Sequence, residues 1–299
     1  MLNIYLPIAE RSVDIWGLLA VGGGVGLLSG IFGVGGGFLL TPLLMFLGIP
    51  PAVSVATGAN QMLGNAVSGV FVHWRRRNVD GKMAGLLLSG GLVGSALGVW
   101  LFATLQRLGQ IDLVISLCYL VFLGLVGLLM LSESLRSAIG APGPAPARHK
   151  RHLPWHAWPL RMRFPRSRLY VSILPPLAVG AFGGLLSAVM GVGGGFVMVP
   201  LMIYGLGMPT AVVVGTSLFQ IIFVTAGVTL MQAATTHTVD AVLAAILLVG
   251  GAVGAQIGAR LGVRLRGDQL RILLALVVLA VAAKMAYDLI SQPADIFSL

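Results

Sequence analysis

Gly33-Val34-Gly35-Gly36-Gly37 and Gly191-Val192-Gly193-Gly194-Gly195 are the same five residues written twice, and each copy interrupts a stretch otherwise apolar enough to span a membrane. Four glycines in five residues hold a continuous helix poorly. Backbone that leaves the helix at membrane depth must be buried in protein or line a cavity, because lipid offers its N–H and C=O groups no partner. The run therefore reads as a deliberately broken transmembrane element, present twice.

The flanks repeat as well. Gly26-Leu27-Leu28-Ser29 returns as Gly184-Leu185-Leu186-Ser187, and Phe38 and Pro42 return as Phe196 and Pro200. Further on, Pro50, Thr57 and Gln61 correspond to Pro209, Thr216 and Gln220, and Val79-Asp80 to Val239-Asp240. The spacing of Gly90, Gly91, Gly94 and Gly98 recurs at Gly250, Gly251, Gly254 and Gly258. An offset near 160 residues is half of this chain, not a solenoid period. The expected organisation is an N-terminal transmembrane repeat (1–132), a basic Pro-rich cytoplasmic linker (133–168) and a C-terminal, inverted repeat (169–299).

With 57% hydrophobic and 9% charged residues over 299 positions, and a mean hydropathy of +0.97, the chain holds far more apolar surface than a soluble core could hide. It is expected to be an all-α polytopic membrane protein. The net charge of +10 sits in the short breaks between apolar segments, where it sets topology beside anionic lipid, so the lipid bilayer and not nucleic acid is the expected partner. Glu10, Arg11 and Asp14 interrupt the first apolar run, which argues against a cleavable signal. Cys118 is the sole cysteine and allows neither a disulfide nor a Cys-based metal site. His149, His152 and His156 lack Cys or carboxylate company, so no metal and no cofactor is expected. No buried His, Asp, Glu or Cys constellation offers acid, base or nucleophile, which argues against an enzyme. Neither Gly run has dinucleotide-fingerprint spacing.

Apolar segments fall at about 13–32, 38–48, 51–73, 83–105 and 111–132, then at about 170–190, 196–206, 211–231, 241–261 and 271–290. The segment after each Gly run is short. Ten helical residues cover ~15 Å, half a bilayer, so about eight full spans and two half-helices or re-entrant arms are expected. Sixteen of the nineteen Lys and Arg residues face one side in a single threading: Arg75 to Lys82, the linker with Arg136, and Arg260 to Arg271. That side is cytoplasmic by the positive-inside rule, placing both termini in the periplasm. The loop Gln232 to Asp240, counterpart of the basic Arg75 to Lys82, has no Lys or Arg, as inversion requires.

A new helix starts just after each Gly run, and its first N–H groups, with the positive end of the helix dipole behind them, suit an anion. Candidate backbone ligands are Gly33, Gly35, Gly36 and Gly37 in the first half and Gly191, Gly193, Gly194 and Gly195 in the second. Thr57, Asn60, Gln61, Gly64, Asn65 and Ser68 share one face of the following helix. In the second half only Thr216 and Gln220 keep that polarity, with Ser217 beside them. These side chains complete the expected substrate set. No charged residue lies mid-span except Lys284, which is spaced to pair with Asp288; Asp80 and Asp240 read as helix N-caps.

The paired Gly-Val-Gly-Gly-Gly, Pro42 and Pro200, the Thr57/Gln61 and Thr216/Gln220 pairs, and Gly254-x-x-x-Gly258-x-x-Leu261 together make the chain resemble the sulfite exporter TauE/SafE family of membrane permeases. The resemblance covers nearly the whole length except the linker. It implies transport of small anions, such as sulfite, organosulfonates or related carboxylates, across the bacterial inner membrane. The alternatives are an anion channel and a membrane-embedded assembly or enzyme component; a homo-oligomer is left open.

Overall fold

The computed structural model describes residues 3–32, 37–75, 78–138, 161–167, 169–262 and 267–291. A chain this apolar satisfies its backbone within helices, and ten α-helices carry the described residues. In order they are α1 (Ile15–Phe32), α2 (Gly37–Phe46), α3 (Pro51–Arg75), α4 (Gly81–Arg107), α5 (Ile111–Ala138), α6 (Leu174–Met190), α7 (Gly195–Pro200), α8 (Thr210–Thr235), α9 (Ala241–Gly262) and α10 (Gly267–Ser291). Five of them, α4, α5, α8, α9 and α10, are long and apolar enough to cross a membrane. α1 and α6 are apolar but shorter, at 18 and 17 residues. α3 has 25 residues and carries the polar face. The protein is a multi-pass membrane protein.

The helices after the two breaks are short. α2 has 10 residues and keeps Pro42 inside it. α7 has 6 residues and passes directly into a π-helical turn at Leu201–Gly205. Pro200 has no N–H to donate and its ring crowds the carbonyl four residues back, which favours the wider turn that follows.

The expectation of a purely helical chain needs correction. β1 (Asn3–Leu6) pairs antiparallel with β2 (Arg11–Asp14), and β3 (Arg161–Phe164) with β4 (Leu169–Ser172). The second hairpin stands 158 residues after the first, the spacing that separates Gly33 from Gly191, and the turns open on Pro7 and Pro165. Alternation places Leu6 and Phe164 inward, fully buried, while Tyr5 and Arg163 face out. Within the segment assigned to the linker, α5 therefore continues to Ala138 and β3 begins at Arg161. His149, His152 and His156 lie outside the described residues.

Pairing runs between the halves. α1 lies along α9 and α4 along α6, while α3 packs on α8 and α5 on α10. Under the sequence correspondence the first two pairings exchange and the last two map onto themselves. Glycines set the closest approaches. A Cβ on Gly94 would sit 1.9 Å from Ala181 O and one on Gly90 2.2 Å from Leu177 O; on Gly254 and Gly258 it would sit 2.0 Å from Gly23 O and 2.1 Å from Leu27 O. Backbone meets backbone there, the small-residue packing anticipated for both runs.

The loops collect at two ends. At one end the β1–β2 turn meets Asp240, whose Oδ2 accepts from Ile8 N at 3.3 Å. At the other, Asp80 Oδ2 accepts from Ser167 N at 2.9 Å and from Ser167 Oγ at 2.8 Å, and Arg166 donates to Val79 O. Both aspartates cap helices as anticipated: Asp80 Oδ1 accepts from Met83 N at 3.4 Å, and Asp240 Oδ1 accepts from Val242 N and Leu243 N at 3.0 Å each. Lys284 pairs with Asp288 at 3.2 Å and also stands 4.4 Å from the centre of the Phe46 ring.

Candidate functional site

The second break is fully described and is built to hold still. α6 ends at Gly191, whose N–H returns to Ser187 O at 2.9 Å. The last carbonyls of a helix need outside partners, and here side chains from two other helices provide them. Gln232 Nε2, from α8, donates to Ala188 O at 3.0 Å, and the Tyr119 hydroxyl, from α5, donates to Met190 O. Tyr119 is fully buried. The chain then turns through positive φ at Gly191 (+66°), Gly193 (+64°) and Gly194 (+71°), which side-chain-bearing residues rarely adopt. A Cβ on Gly191 would sit 2.3 Å from Val55 O of α3, and one on Gly194 2.8 Å from Gly183 O. Glycine is thus required by conformation and by space.

All five residues from Gly191 to Gly195 are buried. Gly194 O accepts from Met198 N at 2.8 Å as α7 begins, and no side chain caps that start. Among the described residues, the N–H groups of Val192, Gly193, Gly194 and Gly195 donate to no protein acceptor. The break therefore presents a small, rigid set of buried donors without a charged residue in contact. In the first half Gly33, Gly35 and Gly36 lie outside the described residues; Gly37 opens α2 and is buried.

The other candidate side chains occupy distinct places. Thr57 Oγ1 accepts from Asp240 N, and Thr216 Oγ1 from Asp80 N, each at 3.2 Å. Gln61 Nε2 donates to Leu247 O at 3.0 Å and to Gly22 O at 3.5 Å, with its Nε2 against Gly251. Gln220 stands against Gly91, the sequence counterpart, and its Oε1 is buried without a hydrogen-bond partner among the described residues. Asn60 Nδ2 reaches Ala56 O at 3.5 Å, and Ser217 Oγ donates to Val214 O at 3.1 Å. Asn65 Nδ2 is buried with no partner among the described residues. Met62, one residue past Gln61, touches both Gly37 at the start of α2 and Gly193 of the second break.

A cavity of about 380 Å³ opens at the Asp240 end, bounded by Ile8, Pro50, Gln106, Asp112 and His237. Among the described residues no group of three or more His, Cys, Asp or Glu could hold a metal ion.

Comparison with known proteins places this arrangement. The family profile described as Sulfite exporter TauE/SafE matches residues 18–285. The chain belongs to the TauE/SafE family of membrane transporters. A probable membrane transporter protein of Xylella fastidiosa (strain 9a5c) is 33% identical over 239 residues, covering 77% of this chain and 78% of that protein. Probable membrane transporter protein YjnA of Bacillus subtilis is 29% identical over 232 residues, covering 76% and 82%. A short segment of 46 residues is 52% identical to Sulfite exporter TauE/SafE family protein 6 of Arabidopsis thaliana, covering 15% of this chain and 11% of that protein. No solved structure matches the chain significantly.

Tyr119, Gln232 and Met62 contact the second break and were left unmarked by sequence patterns in this TauE/SafE chain. A buried tyrosine in a Leu-rich run signals a hydroxyl in need of a partner. Nothing local to Met62 distinguishes it from ordinary helix packing.

Proposed function

We propose that this TauE/SafE protein is a secondary transporter that exports a small anion, such as sulfite, an organosulfonate or a related carboxylate, across the bacterial inner membrane. The anion sits near the midplane between the two Gly-rich breaks. Amides of Gly33, Gly35, Gly36, Gly37, Gly191, Gly193, Gly194 and Gly195 face it, with Asn60, Asn65, Ser217 and Gln220 around them, while Thr57, Thr216 and Gln61 hold in place the helices that carry the site. The two halves are inverted repeats, with eight full spans, two half-helices and both termini periplasmic. The carrying observation is the second break: buried, rich in glycine, clamped through Tyr119 and Gln232, and holding amides with no protein acceptor among the described residues. Amides and dipoles bind an anion without the grip of an ion pair, which keeps release fast. The reciprocal helix pairing supports the repeat relation, since a site between inverted halves can open to either side by rocking one against the other.

Proteoliposome counterflow tests the proposal. Labelled sulfite, methanesulfonate and acetate are supplied outside vesicles loaded with the unlabelled anion. A carrier accelerates uptake when the unlabelled anion is inside. Flux without such trans-stimulation indicates a channel, and no flux of any anion in the panel removes the anion-transport assignment.

A further inference from the structure

Met62 of α3 reaches the start of α2 and the second break at once. A Cβ on Gly37 would lie 2.1 Å from Met62 Sδ and 2.4 Å from its Cγ, and a Cβ on Gly193 would lie 3.0 Å from Met62 Cε. The side chain is 3% exposed. Its sequence counterpart on α8, Ile221, makes the matching contact in the other half: a Cβ on Gly195 would lie 2.6 Å from Ile221 Cδ1. Ile221 also meets Gly193, where its Cγ2 and that of Thr225 would each stand 3.3 Å from an added Cβ. Two apolar side chains, one from each half, thus pack against the second break, and Met62 also meets Gly37 at the start of α2.

We infer that Met62 and Ile221 are the central gate of the transport path, and that Met62 is its moving part and sets the size of anion admitted. This rests on the transport reading above. The two residues differ in stiffness. Isoleucine is branched at Cβ and holds one rotamer in a helix, whereas methionine is unbranched, turns about three bonds and adapts to changing neighbours. An anion bound by the amides of Gly193 and its neighbours displaces the Met62 thioether and leaves Ile221 in place. Gly37 then has a second reason to lack a side chain, because any Cβ there would occupy the seat of the closed Met62. A longer anion needs the thioether to withdraw further, so shortening the side chain admits longer substrates.

The first test requires no transport substrate. Thr225→Cys in a Cys118→Ser background places a thiol beside Gly193, and the anionic reagent 2-sulfonatoethyl methanethiosulfonate probes its access from water. Adding Met62→Ala removes three heavy atoms from the gate and should raise the modification rate about tenfold or more, while the volume-conserving Met62→Leu should leave it within about threefold of the parent. Met62→Val, also shorter, replaces the alanine variant if that one does not fold. An unchanged rate in the shortened variant, or an equal rise with leucine, overturns the gate. The second test compares proteoliposome flux of propanesulfonate with that of methanesulfonate, permanent anions that do not cross lipid as neutral acids. Met62→Ala should raise the ratio about tenfold, since the site then discriminates less against added methylenes. A raised ratio with unchanged packing stability is not produced by a merely structural methionine. Wild-type flux with the same ratio in both proteins overturns the size role of Met62. Absence of flux in the wild type instead defeats the transport reading and leaves the accessibility result to decide the gate.

Discussion

The backbone N–H of Asp240 donates to Thr57 Oγ1 at 3.2 Å, joining the start of α9 to α3. At the opposite end of the bundle Asp80 N–H donates to Thr216 Oγ1 at the same distance, joining α4 to α8. Each aspartate lies just outside the helix it caps, so its own N–H has no partner within that helix. Both threonines are fully buried. Thr57→Val and Thr216→Val keep the shape and remove the acceptor, leaving a buried donor unpaired at a cost of about 1–3 kcal/mol each. The losses should be similar and should add in the double variant, because the sites are far apart. Thermal unfolding in detergent measures this. A loss confined to one variant would mean the two contacts are not equivalent.

The hairpins depend on the same two aspartates to different degrees. Asp80 Oδ2 takes both the N–H and the hydroxyl of Ser167, at 2.9 and 2.8 Å, whereas Asp240 Oδ2 takes one longer bond from Ile8 N. Asp80→Ala and Asp240→Ala each lose an N-cap, about 1 kcal/mol. Asp80→Ala should lose more in addition and should expose the β3–β4 turn to protease first. Limited proteolysis of the two variants gives the order, and preferential cleavage near Pro7 in Asp240→Ala, with the β3–β4 turn protected in Asp80→Ala, would reverse it.

Glycines divide into those that set helix contact and those that do not. Gly94→Ala and Gly254→Ala would push a methyl to 1.9 and 2.0 Å from backbone oxygens of α6 and α1. Backbone cannot step aside as a flexible side chain can, and both variants should lose several kcal/mol or fail to assemble, as overpacked cores do at ~1–3 kcal/mol or more. Gly124 of α5 has nothing within 4 Å, so Gly124→Ala should be neutral or slightly stabilising. Monodispersity in detergent separates the two classes. A well-behaved Gly94→Ala would show that α4 and α6 do not cross this closely.

The second Gly run, the short helices α2 and α7, the Asp80 and Asp240 caps and the small-residue stripes were legible because each has a local signature: a conformation, a length or a spacing. The two hairpins were not. Strands of four residues are too short to register against twenty-residue apolar windows, and β3 lies at the edge of a charged Pro-rich segment. The partners of Tyr119 and Gln232 were also hidden, since Met190 O and Ala188 O are reached only across the fold. Thr57 and Thr216 were read as substrate ligands from their shared helix face, and that pattern holds no hint of the Asp240 and Asp80 amides they accept from.

Orientation can be tested with single cysteines in a Cys118→Ser background. Asn78→Cys and Ala147→Cys should be shielded from an impermeant maleimide in intact cells, and Thr235→Cys should be labelled, because basic loops stay in the cytoplasm. Asn78 adjoins the Asp80 end of the bundle and Thr235 closes α8 at the Asp240 end; Ala147 lies outside the described residues. Labelling at Asn78 or Ala147 without labelling at Thr235 reverses the topology.

Gln61 and Gln220 occupy matched positions but have committed their amides differently. Gln61 Nε2 is held by Leu247 O and, more weakly, Gly22 O, so it ties α3 to α9 and α1 and has little donor capacity left. Gln220, 3% exposed, leaves its Oε1 without a hydrogen-bond partner among the described residues, so its amide is free to turn toward a ligand. Its helical neighbours Phe219, Phe223 and Val224 offer no substitute donor. A hydrogen bond to a charged ligand contributes roughly 1.5–3 kcal/mol, and ~1.4 kcal/mol is tenfold in affinity. Gln220→Leu should therefore weaken sulfite or sulfonate binding about tenfold or more and leave the melting temperature nearly unchanged. Gln61→Leu should do the reverse: affinity changes little, while an orphaned carbonyl lowers stability by about 1–3 kcal/mol. Leucine suits a membrane helix, so both variants should insert. Titration and thermal unfolding of the two purified variants read the split directly. An affinity loss in Gln61→Leu with none in Gln220→Leu would place the anion on the first half's side of the breaks, away from the α8 face.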